Sequence, residues 1–185
     1  MLPSGLTYLP NYISQQEHDY LISVIDQQPW LSDLKRRVQH YGYRYNYTKR
    51  SVDLSMYIGE LPDWGQKLGQ RLLNDKWFTN IPDQLIVNEY QPGQGISAHI
   101  DCVPCFGSTI TSLSLGSSCV MDFINSQTGE VVSLLLEPCS LLIMSNESRY
   151  KWQHGIKPRK SDIYKGEKRV RKRRVSLTFR IMILN

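Results

Sequence analysis

The stretch from Asn88 to Asp101 ends in a His-x-Asp pair, His99 and Asp101. On an extended strand, residues two apart face the same side, so an imidazole and a carboxylate converge on one point. Such a pair supplies two of the three ligands of the two-histidine, one-carboxylate arrangement. That arrangement holds non-haem Fe(II) and leaves positions open for oxidant and substrate. The chain has four histidines: His18, His40, His99 and His154. His18 falls in a helical pattern, where it is expected on the solvated face, and His40 in a polar, tyrosine-rich stretch. His154, within Arg149-Tyr-Lys-Trp-Gln-His-Gly, is the best remaining third ligand. A lone His-x-Asp can equally be a polar strand end, so its neighbours must decide.

A second constellation lies in Arg174-Val-Ser-Leu-Thr-Phe-Arg180. Period two puts Arg174, Ser176, Thr178 and Arg180 on one face, and Val175, Leu177, Phe179 and Ile181 on the other. With the apolar face in the core, the two guanidinium groups need anionic partners. They stand roughly 20 Å apart at ~3.3 Å per residue. Side chains leaning inward by about 6–7 Å each leave a gap suited to a five-carbon dicarboxylate. The alternative is an edge strand with two solvent-facing arginines. A facial triad plus a dicarboxylate clamp is the equipment of a 2-oxoglutarate-dependent Fe(II) oxygenase.

Asn88-x-Tyr90, His99-x-Asp101, His154 and Arg174-x5-Arg180 together resemble the AlkB family. The likeness extends to Ser112-Leu-Ser-Leu-Gly, to Val120-Met-Asp-Phe and to Glu147-Ser-Arg-Tyr ahead of His154-Gly-Ile. It is strong over about residues 84–183 and looser before them. The resemblance implies a double-stranded β-helix in which His99, Asp101 and His154 hold a catalytic Fe(II). It further implies that Asn88, Tyr90, Arg174, Ser176 and Arg180 bind 2-oxoglutarate, with dioxygen as the oxidant. The implied activity is oxidative demethylation of alkylated bases in DNA or RNA. The tract Arg36-Arg-Val-Gln-His-Tyr-Gly-Tyr is similar to the substrate-side lid of the family, particularly in the branch with the tRNA wobble-uridine hydroxylase. Arg37, Gln39, His40, Tyr41 and Tyr43 are then expected beside the base, and side-chain hydroxylation of tRNA is the alternative activity. A non-catalytic nucleic-acid-binding module is a third reading, against which all three ligands and both arginines are present. One departure stands out: repair members often carry an acidic residue two positions after the iron-binding Asp, where this chain has Val103.

These residues need rigid elements to hold them. From Asp83 onward, short apolar runs separated by turn residues predict eight strands. They are Leu85–Tyr90, Ser97–Asp101, Thr109–Leu115, Cys119–Ile124, Val131–Leu136, Leu141–Ser145, Arg149–His154 and Arg174–Ile183. Ahead of them, the Ser14-x-x-Glu17 capping box and Leu21, Val24 and Ile25 predict a helix over Gln15–Gln28. Leu61, Trp64, Leu68 and Leu72 predict a second over Asp63–Asn74, behind Pro62. The expected class is α+β, mainly β: a jelly roll with N-terminal helices packed on its outside. Lys157–Arg173, polar and basic, is expected to be one mobile loop.

At 185 residues the chain is one domain's worth, 1–185, and ordinary hydrophobic (41%) and charged (21%) contents argue against disorder. No run is long enough to span a membrane and the N-terminus lacks a signal-peptide pattern, so a cytoplasmic monomer is expected, or a nuclear one in a eukaryote. Cys102, Cys105, Cys119 and Cys139 do not look like a disulfide framework or a zinc site. The Cys-x-x-Cys pair is read as packing, with redox sensitivity as the alternative. Charge is uneven. Residues 1–150 carry 10 Lys and Arg against 15 Asp and Glu, a net of −5, whereas 151–185 carry 12 against 2, a net of +10. A polyanion is therefore the expected partner: single-stranded DNA or RNA, tRNA included. Lys168, Arg169 and Arg171 are expected to touch its phosphates, and the tyrosines of 41–47 either stack on bases or pack on the core.

Overall fold

The computed structural model describes residues 1–184. Its elements in chain order are β1 (Leu6–Leu9), α1 (Gln15–Asp26), β2 (Val38–Tyr41), α2 (Asp63–Asn74), β3 (Gln84–Tyr90), β4 (Ile96–His99), β5 (Ile110–Gly116) and β6 (Cys119–Asn125). There follow β7 (Val131–Leu136), β8 (Leu141–Met144), α3 (Asn146–Tyr150), β9 (Trp152–Ile156), β10 (Ser161–Tyr164), β11 (Glu167–Val170) and β12 (Arg174–Arg180). A major sheet in the order β1-β8-β5-β12-β3-β2 faces a minor sheet in the order β4-β9-β6-β7. All pairings are antiparallel. The result is the expected jelly roll.

The alternation of β12 builds both layers. Val175, Leu177 and Phe179 pack with Ile25 of α1, with Leu68 and Leu72 of α2, and with Leu85 and Val87 of β3. The helices therefore cover the outer face of the major sheet, as expected. Its inner face meets the minor sheet across a second core that includes Tyr90, Ile110, Phe123, Leu142 and Trp152. Arg174, Ser176 and Arg180 are buried on β12 between these cores. A strand covered on both sides can keep such polar groups only where they find partners.

Helix α1 begins on the Ser14–Glu17 capping box, both halves of which form, and ends two residues before the expected Gln28. Helix α2 has the expected bounds. His18 is not solvated: its side chain is 12% exposed and its Nε2 accepts the Gly116 N–H at 2.9 Å, pinning α1 to the end of β5. The expected strand at Arg149–His154 is split, because Ser145 opens the short helix α3 and pairing begins only at Trp152.

The basic segment expected as one mobile loop is largely a hairpin, β10–β11. Asp162 supplies the reason. Fully buried, its carboxylate accepts from Arg159 Nε at 2.8 Å, from Arg171 Nε and Nη2 at 2.7 and 2.8 Å, and from the Val120 N–H. Cys102 and Cys105, read from sequence as packing residues, are joined as a disulfide; the turn between them brings their Cα atoms to 5.2 Å. Cys119 and Cys139 are free and buried. No described helix is long and apolar enough to cross a membrane.

Candidate metal centre and its two cavities

β4 and β9 place the two histidines directly opposite each other. The register pairs His99 with His154, with a bulge between Ile96 and His99, and the ring centroids lie 4.5 Å apart. Gly155 permits this closeness, since a Cβ there would stand 2.8 Å from the Ala98 backbone nitrogen. His99 Nδ1 lies 2.7 Å from the Ser97 carbonyl, to which it donates, so Nε2 is left to point inward as a ligand. Asp101, just past β4, brings Oδ1 within 3.2 Å of His99 Nε2 and 3.5 Å of His154 Nε2. The three ligand atoms lie within 4.8 Å of one another.

The electrostatics suit a cation. Burial alone would raise the Asp101 pKa, but hydrogen bonding to His99 and the positive charge of Arg180 hold the carboxyl far below its usual range. Burial drives His154 down to about 4, and repulsion from the neighbouring cations assists, so its lone pair is free at neutral pH. Burial would lower His99 as well, yet its contact with Asp101 leaves it raised.

Two frameworks hold Asp101. Arg180 Nη1 donates to Oδ2 at 2.8 Å while its Nε donates to Gln84 Oε1 at 2.8 Å, and its guanidinium lies 3.7 Å from the Phe106 ring centroid. Behind the ligand, Arg149 is 2% exposed and donates only to backbone carbonyls, those of Asp101, Cys102, Phe106 and Gly107. It secures the whole turn that follows the carboxylate. Arg149 belongs to the Glu147-Ser-Arg-Tyr run that carries the family likeness, but its role was not legible, since the carbonyls it gathers lie 42 to 48 residues earlier.

An inner cavity runs from the triad to Asn88, Tyr90, Arg174 and Ser176. Arg174 Nη2 donates to Ser114 Oγ at 2.9 Å, but Arg174 Nε and Arg180 Nη2 are buried and find no partner among the described residues. Guanidinium N–H groups cannot accept, so the donors left over at opposite ends of β12 call for an anion with two acceptor ends. The residues present thus fit a metal ion beside a dicarboxylate. Arg180 serves the metal carboxylate as well, so only part of its fork is left for the cosubstrate.

A wider cavity of about 620 Å³ opens from His99 and Asp101 to solvent past Lys35, Arg36, Tyr45, Tyr47 and Arg50. The expected lid residues lie largely elsewhere. Gln39 is 2% exposed and gives its amide to the Ile25 carbonyl, and Tyr41 donates to Gln39 Oε1 while standing edge-on to Trp64. Both face α1 and α2, because β2 pairs with β3 in a register that turns them to the helix side. Arg37 forms a bidentate pair with Glu89 at 2.8 Å. Tyr43 is buried against Tyr57, and His40 lies under the lid with its ring 6.3 Å from that of Tyr47. Arg171 is buried on Asp162 and is not a surface phosphate contact; Arg169 pairs with Glu167 and Lys168 is exposed.

Residues 27–180 match the family model for the 2OG-Fe(II) oxygenase superfamily. Over 88% of its length the chain is 41% identical to a tRNA (carboxymethyluridine(34)-5-O)-methyltransferase, alkbh8, of Xenopus tropicalis, and it covers 26% of that protein. It is 37% identical to the alkylated DNA repair protein ALKBH8 homolog of Arabidopsis thaliana, covering 95% of this chain and 58% of the relative. The chain thus spans about a quarter to somewhat over half of these two relatives. A solved structure, that of OsALKBH1, superposes with a TM-score of 0.75 over 98% of both chains at 17% identity, a likeness of fold.

Proposed function

The chain belongs to the 2OG-Fe(II) oxygenase superfamily and to its AlkB-like proteins, and from that premise we propose that it oxidises alkyl groups on nucleic-acid bases, with demethylation as the outcome. It is a dioxygenase that uses Fe(II), 2-oxoglutarate and dioxygen. In this reading His99, Asp101 and His154 hold the iron. Arg174, Arg180, Asn88, Tyr90 and Ser176 hold the cosubstrate.

The bound metal with its cosubstrate supplies hydroxylation of a C–H bond, 2-oxoglutarate leaving as succinate and carbon dioxide. The chain supplies position and shelter. Asp101, fixed from both sides by Arg180 and Arg149, keeps a deprotonated ligand oxygen beside the two imidazoles. Ile110, Met121, Leu142 and Met144 give the inner cavity an apolar wall on one side. A base must leave its stack to enter the outer cavity, which favours single strands or flipped nucleotides. Tyr47, exposed over the cavity and backed by the buried Tyr45, offers a face for that base, and Lys35 and Arg50 offer charge for its phosphates.

The observation that carries this reading is the pair of unpartnered buried arginine donors beside a three-ligand cluster. A second reading, side-chain hydroxylation of a tRNA wobble uridine, is favoured by the 41% identity to the tRNA-modifying relative. The test is incubation with Fe(II) and 2-oxoglutarate against methylated oligonucleotides and tRNA, followed by mass spectrometry. Demethylation shows as a lost methyl group with formaldehyde; hydroxylation shows as one retained oxygen. Succinate formation that no nucleic acid stimulates would sink both.

A further inference from the structure

The lid enters alongside the end of β3, stitched on either side of residue 36. The Glu89 N–H donates to the Arg37 carbonyl at 2.9 Å, and Gln94 Nε2 donates to the Lys35 carbonyl at 3.0 Å. Arg36, held between them, turns inward. Its Nε donates to Asn88 Oδ1 at 2.9 Å, its guanidinium lies 5.9 Å from the Tyr90 ring centroid, and it lines both the inner and the outer cavity. Tyr47 lines both cavities beside it. Asn88 is 8% exposed, and its amide has one accepting and one donating end. With the oxygen engaged by Arg36, the NH2 is the end left for the cavity, which is the polarity an anion requires.

We propose that Arg36 is a cosubstrate-positioning residue. It orients the Asn88 amide toward 2-oxoglutarate and couples the filling of the inner cavity to the seating of the segments that flank β2, residues 31–37 and 42–50. This rests on the reading that the inner cavity takes 2-oxoglutarate. Arg36 contributes a fork with one prong on Asn88 and the others at the boundary of the two cavities. Lysine cannot reproduce that geometry.

The test is calorimetric titration of 2-oxoglutarate into the Mn(II)-loaded protein, without nucleic acid or turnover. R36M should weaken binding about ten-fold, as expected for a lost charge-assisted contact. R36K should remain weakened, and R36M/N88A should bind no worse than N88A alone, because the two residues act in series. In parallel, 2-oxoglutarate should slow hydrogen exchange over residues 31–37 and 42–50 in the wild type and not in R36K. Wild-type affinity in both R36M and R36K, or additive losses in the double variant, would overturn the proposal. So would equal exchange slowing in R36K and wild type. R174M distinguishes the underlying reading: if R174M binds 2-oxoglutarate normally, the cavity itself has been misassigned.

Discussion

Asp101 is both a ligand oxygen and the counter-charge of a buried guanidinium, so removing it has two costs. Asp101→Ala should abolish Mn(II) binding. It should also destabilise the protein by about 3–5 kcal/mol, because Arg180 is left buried and unpaired. Asp101→Asn, which keeps an acceptor for Arg180, should lose the metal with a smaller drop in urea midpoint. Equal drops for the two variants would show that Arg180 does not depend on that oxygen. His40 makes a separate prediction about pH. Burial, aided by repulsion from Arg44 and Arg180, lowers it to about 4, so between pH 6.5 and 4 the unfolded chain takes up a proton that the folded one refuses. A depressed histidine therefore removes stability as pH falls through that window. His40→Gln should flatten the loss in denaturant midpoints measured from pH 7 to 4, and an unchanged slope would refute the assignment. At this scale the triad was legible, since a spacing of two on a strand fixes a shared face. The lid was not. A one-residue phase decides whether Arg36 or Arg37 turns inward, and β2 has covered faces on both sides, so period two alone does not say which is the site.

Short elements carry the site by what they grip. Helix α3 has only five residues, yet its Arg149 gathers four carbonyls around the Asp101–Gly107 turn. Arg149→Met would leave those carbonyls without their donor, at about 1 kcal/mol or more each where water cannot replace it. The expected outcome is a fall of several kcal/mol in unfolding free energy, together with weakened Mn(II) binding. Full metal affinity in a folded Arg149→Met protein would rule out its hold on the ligand turn. The capping box and the apolar spacing made α1 and α2 readable in advance, because those cues are local. Hairpin β10–β11 was not readable. Its composition is that of a solvated loop, and what orders it is a single buried carboxylate, Asp162, whose partners include Val120 from another sheet.

Across the whole molecule, the basic C-terminal region is less available than its net charge implies. Arg159 and Arg171 are spent on Asp162, Arg173 on Asp26 and Glu89, and Arg174 and Arg180 face the inner cavity. Among the described residues of that region, Lys160, Lys165, Lys168 and Lys172 are exposed and outside any ion pair. If all four touch phosphates, they should contribute about 3 to the salt-dependence slope of single-strand binding, at roughly 0.7 per contact. Changing the four to glutamine should lower the slope by about that much and leave the choice of base unaltered; an unchanged slope would place the phosphate contacts elsewhere. The charge asymmetry was visible in the sequence, but which cations are free is a property of the packing. The position of β12 has a further consequence, for synthesis. It is the last of the described strands of that sheet in chain order, yet it lies between β5 and β3. Until it leaves the ribosome, the nascent chain carries two half-sheets with open inner edges. Those edges are templates for pairing with other chains. Chaperone demand should therefore peak just before Arg174–Arg180 emerges, and the same late event that closes the sheet delivers both cavity arginines.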